Sequence, residues 1–173
     1  MSNFKKDFDI AANNFDVIAK NIKDKVRLNL INIELMDNEL SKMFDKYSGI
    51  DALDNQKNQL RTVALRCQYF KAWNTFTVRY KRFNGVKTEY DKRVEAIFGD
   101  KGFLYPYLTV QTYLSEKVGG KILSCGIIKT KDLYQYFIDN ISTAKIRTCP
   151  EGNQFIYEDF NTLKNHGCSI VIL

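Results

Sequence analysis

The chain has 173 residues, 45% hydrophobic and 27% charged, with a formal net charge of +6. That balance excludes intrinsic disorder for most of the length and suits one domain or two small ones. No apolar run approaches the ~20 residues of a membrane span, and the opening MSNFKKDFD has no apolar core of a signal peptide, so neither a membrane nor export is expected.

Residues 4–47 contain no Gly and no Pro. Phe4, Phe8, Ala11, Phe15, Ile18 and Ile22 recur at alternating spacings of four and three, the stripe of one helix face. The stripe continues through Val26, Leu30, Ile33, Met36, Leu40, Met43 and Tyr47, and Gly49 suits the position after a helix end. The alternation of Val26, Leu28 and Leu30 offers a strand over 25–35 as the rival, but no turn residue flanks it. A second helix is expected from Asp51, with Leu53, Leu60, Val63, Cys67, Phe70 and Trp73 on its stripe. The short link between the two predicts an antiparallel hairpin of long helices.

Residues 74–90 read two ways. NTFTVRYKRF is rich in β-branched and aromatic residues and runs into Asn84-Gly85, a strong hairpin signal. The aromatic spacing of Trp73, Phe76, Tyr80 and Phe83 also continues a helix. The reading prefers the hairpin over 74–90. Pro106 is expected to open a short helix ending at Gly119-Gly120.

From Lys121 the pattern becomes strand, helix, strand, strand, helix, strand. KILSCGII is the first strand, a helix covers 131–140, strands follow at 144–149 and 153–157, 158–165 is helical, and CSIVIL closes. This is the split βαβ order. The expected fold is therefore α+β. A helical hairpin with a basic second half spans 1–98, and a small βαββαβ-like mixed-sheet domain spans 99–173.

Residues that could carry chemistry are few. His166 is the only histidine, and with Cys168 it lacks the third group of a nucleophilic site. Cys67, Cys125, Cys149 and Cys168 form no CxxC pair, so four reduced thiols in a reducing compartment are expected. Asp51 with Asp54 and Glu158 with Asp159 read as acids at helix starts rather than metal ligands. Gly119-Gly120-Lys121 lacks the remaining residues of a phosphate loop. No metal, no cofactor and no small-molecule substrate is expected, and the chain reads as a non-enzyme.

The charge is uneven. Residues 57–93 hold ten basic residues and two acids, a net +8, while the remainder is at −2. Such a segment attracts polyanions or an acidic protein surface. The candidate binding residues are Arg79, Lys81, Arg82, Lys87, Lys92 and Arg93. Tyr69, Phe70, Trp73, Phe76, Tyr80 and Phe83 lie between the charges, as aromatics do on nucleic-acid surfaces. Phe155 and Tyr157 alternate on a strand, as RNA-recognition sheets display them, without the accompanying RNP pattern.

The helical stripes favour a non-enzymatic assembly or protein-interaction protein. The AT-rich coding bias (many Lys, Asn and Ile) fits an AT-rich bacterium, a virus or a phage equally well, and a phage or virus component, cytoplasmic or virion-associated, is the expectation. Nucleic-acid binding through 57–93 is the alternative.

Overall fold

The computed structural model describes residues 3–33, 36, 39, 43–44, 48–56 and 59–173, with side chains for residue 10 and from residue 13 on. Helix α1, Asn3–Val26, forms over the expected stripe. It stops at Arg27, whose φ is 60°, not at Gly49. Strand β1, Leu30–Asn32, follows almost at once. The expected continuation of the helix to 47 is therefore overturned, and Leu40 and Tyr47 of its stripe lie outside the described residues.

The second long helix is also overturned. Its span holds β2, Ala52–Gln56, and β3, Gln59–Tyr69, an antiparallel pair with Ala52 opposite Val63. Asp51 and Asp54 accordingly do not begin a helix. Asp51 accepts from the Leu65 amide at 2.7 Å, and Asp54 accepts from the Asn29 amide at 2.8 Å and from Arg61. These carboxylates thus satisfy partly buried backbone amides.

Strand β4, Thr75–Lys81, matches the first half of the expected hairpin, but no return strand pairs with it across Asn84-Gly85. The chain starts helix α2, Glu89–Phe98, instead. The Thr88 hydroxyl accepts from the Asp91 amide, and the Asp91 carboxylate accepts from the Thr88 amide at 2.8 Å, a reciprocal cap. Residues 106–118, expected as helix, contain strand β5, Leu108–Leu114, all seven residues buried.

The remaining elements follow the expected order: β6 (Ile122–Lys129), α3 (Thr130–Asp139), β7 (Lys145–Thr148), β8 (Gln154–Asp159), α4 (Phe160–Asn165) and β9 (Ile170–Ile172). Their pairing does not make one small sheet. Among the described residues a six-stranded sheet runs β1-β2-β3-β5-β6-β9 and a three-stranded sheet runs β4-β8-β7. Only the β3–β5 contact is parallel. The protein is thus mostly β, and the described residues form no N-terminal hairpin of long helices.

Two cores separate the layers. On one face of the large sheet, Phe15, Ile18 and Ile22 of α1 pack with Leu28, Val63, Val110, Leu114 and Ile127. On the other face, Tyr113 and Ile128 meet Phe76, Val78 and Ile156 of the small sheet, with Leu133, Phe137, Phe160 and Leu163 from α3 and α4. Burying such large side chains is worth ~1.5–3 kcal/mol each. Strand β5 lies between both cores, which is why all seven of its residues are buried. Gly126 faces the ring of Phe160 closely enough that a Cβ there would lie 2.6 Å from it. No helix among the described residues is long and apolar enough to cross a membrane.

Candidate functional site

The small sheet has two unlike faces. Phe76, Val78 and Ile156 point into the core, so alternation sends their neighbours outward. Register places Arg79 and Arg147 on either side of Phe155, and Thr77 and Lys145 on either side of Tyr157. The outward face is therefore an aromatic ladder with two arginines beside Phe155, while at its other end Lys145 pairs with Glu158 at 2.7 Å and with Asp159. Arg79 sits over the Phe155 ring, its guanidinium carbon 5.6 Å from the centroid.

This face borders a cleft of about 620 Å³ between the two sheets. Arg66 and Gln68 of β3 form one wall, while Thr75, Thr77, Phe155 and Tyr157 form the other. Trp73, Arg147 and Cys149 close its rim. None of the described residues that line it is acidic. Arg66 holds the walls together: it donates to the Thr77 carbonyl at 3.0 Å and pairs with Glu89 of α2. Its charge is thus met within the protein. Arg147 has no ion-pair partner among the described residues.

The bend that places Trp73 is strained. Phe70 and Asn74 have φ of 72° and 53°, a left-handed backbone that costs a non-glycine residue ~1–3 kcal/mol. Neighbours hold it. Phe70 donates to the Leu114 carbonyl at 2.8 Å, and the Asn74 carbonyl accepts from the Phe160 amide at 2.8 Å. Tyr113 pins the next residue, its hydroxyl donating to the Thr75 carbonyl at 2.6 Å while accepting from the Thr75 amide. Trp73 itself remains 48% exposed, with the Lys71 ammonium 4.1 Å from its ring.

The residues singled out from sequence do not form one patch. Arg79 lies on the ladder, and Lys81 and Arg82 continue past it at the exposed end of β4. Lys87 pairs with Glu95 at 2.6 Å, which raises its pKa. Lys92 is exposed on α2. Arg93 is buried, donating to the Ser48 carbonyl and to the Gly49 carbonyl at 2.8 Å. Its guanidinium fixes the chain entering β2.

Arg147 lies outside the basic window and was missed. No local signal marks it, because only the pairing of β7 with β8 brings it beside Phe155. His166 lies against Tyr136, ring centroids 5.1 Å apart, and does not line the cleft. All four cysteines are free. The cleft can stack planar rings, attract anions and offer the Thr77 hydroxyl and the Gln68 amide to polar edges. No protein-family model, curated protein or solved structure matches the chain.

Proposed function

We propose that the chain binds single-stranded nucleic acid in the cleft between its sheets, without catalysing a reaction on it. The rung formed by Arg79, Phe155 and Arg147 carries this reading. Half-buried rings flanked by arginines, with Trp73 exposed on the rim, suit a strand whose bases stack while its phosphates meet arginine, and this needs no particular sequence. Among the described residues that line the cleft there is no imidazole and no carboxylate. The reading from sequence that favoured a protein partner drew on two helical stripes. One is spent on the large sheet through Phe15, Ile18 and Ile22, and the other folds as β2 and β3.

Trp73 is the only tryptophan and lies on the cleft rim, so its fluorescence reports occupancy directly. Titration with oligothymidylate or oligouridylate should quench it, with an affinity that falls steeply as salt rises. Phe155→Ala should weaken binding about 5- to 150-fold, the equivalent of ~1–3 kcal/mol per stacked base. Arg147→Glu should weaken it and flatten the salt dependence. Unchanged Trp73 fluorescence at saturating oligonucleotide and low salt would overturn the proposal.

A further inference from the structure

We propose that the cleft continues past Arg79 to a second stacking site at Phe83, so that one strand occupies both. This rests on the nucleic-acid reading above and extends it from a single pocket to a track. A smaller cavity of about 270 Å³ lies at the end of β4, with Arg79, Arg82, Phe83 and Asn84 on one side and Glu151 and Asn153 on the other. Arg79 belongs to both sites: it lines this cavity and covers Phe155, which lines the larger one.

Phe83 is 79% exposed, yet it is not a loose side chain. Its Cβ packs on the turn between β7 and β8, where a Cβ added at Gly152 would approach it to 3.2 Å. That turn is itself closed. The Gly152 amide donates to the Cys149 carbonyl at 2.9 Å, and the Cys149 amide donates to the Asn153 carbonyl at 2.8 Å. Gly152 has φ of +79°, which a residue with a side chain adopts only with strain. A large apolar ring left in water forfeits burial. A nucleobase stacked on it recovers that burial.

The charges fix which part of the strand goes where. Arg79, over Phe155, and Arg82, which shares the small cavity with Phe83, suit a phosphate, whereas Glu151 repels one. A base therefore lies on Phe83 beside Glu151, and the bridging phosphate lies over Arg79. The strand must be single, because paired bases in a duplex present no free face to either ring.

The test uses Trp73 quenching with two unlabelled probes, a thymidine dinucleotide and an oligothymidylate of about 12 nucleotides, within the range of lengths known for such grooves. Phe83→Ala should lower affinity for the long probe at least ~5-fold and leave the dinucleotide unaffected. Glu151→Gln should raise affinity for the long probe only. A Phe83→Ala variant that binds the long probe within twofold of the parent overturns the second site while leaving the cleft intact. Loss of dinucleotide binding in that variant also overturns it, since Phe83 would then act through the fold. Absence of quenching in the parent protein with either probe overturns the nucleic-acid reading itself.

Discussion

Arg66 and Thr77 join the two sheets: the guanidinium of one donates to the backbone carbonyl of the other at 3.0 Å, and the same guanidinium pairs with Glu89. A carbonyl at the cleft wall and a carboxylate on α2 thus share one cation. Arg66→Met should leave both without it and lower stability by ~1–3 kcal/mol. Arg66→Lys should recover only part of this, since an ammonium cannot reproduce the planar fork. Thermal unfolding of the three proteins in one buffer measures the difference.

Gly126 makes room for Phe160. The ring is 1% exposed and packs on Phe76 at 4.8 Å between centroids, so it has nowhere to retreat. Gly126→Ala should cost ~1–3 kcal/mol by overpacking. Adding Phe160→Leu to that variant should cost less than Phe160→Leu costs alone, because the shorter side chain leaves space for the new methyl. Urea unfolding of the two single variants and the double variant checks the coupling.

Burial pushes the Cys67 thiol up to about 12 and the Cys125 thiol up to about 11. Burial likewise pushes the Tyr134 hydroxyl up to about 12. In the unfolded chain these groups ionise near about 8.5 for Cys and about 10 for Tyr. The folded state therefore keeps protons that the unfolded state releases. Stability is full below about pH 8 and is lost as pH rises toward about 12. Melting temperatures taken at rising pH should be level near neutrality and fall from about pH 9 upward.

A thiol reagent should discriminate among the cysteines at neutral pH. Cys149, half-buried on the cleft rim, should be modified before Cys67 and Cys125, which burial keeps protonated. Saturating oligothymidylate should slow modification of Cys149 and leave the rates at the other two unchanged. Peptide mass mapping after timed quenching reads each site separately.

The part of the chain that could be read from sequence is the part punctuated by its own turn residues. From Lys121 on, Gly119-Gly120, the PEGN turn and Gly167 bound each element, and local propensity matches what forms. Between 51 and 73 the apolar residues fall at helix-like spacing, yet β3 lies inside the large sheet, where Val63 and Ala64 are both buried. Where a strand is covered on both faces, as β3 is at Val63 and Ala64, it loses the alternation that would reveal it. Pro106 misled in the same way, since a proline before β5 looks like a helix start. Asn84-Gly85 did mark a turn, but the cap at Thr88 sends the chain into α2 rather than back along β4.

The site was legible in pieces. Arg79, Trp73, Phe155 and Tyr157 could each be noticed, but their assembly depends on β4 pairing with β8, about half the chain away. Arg93 shows the opposite error: its charge suggested a surface, whereas its hydrogen bonds place it inside.

The central strand of the small sheet has a kinetic consequence. Strand β4 pairs with β8, and β8 ends at Asp159. During synthesis, therefore, β4 has no partner until β8 has been made, and Trp73, Thr77 and Arg79 wait beside an open strand edge. Contacts so distant in sequence form late and slowly, and an unpaired edge invites pairing with another chain. The charges of Arg79, Lys81 and Arg82 along that edge oppose such pairing. Two of the cations that thus keep nascent copies apart, Arg79 and Arg82, line the smaller cavity of the finished fold.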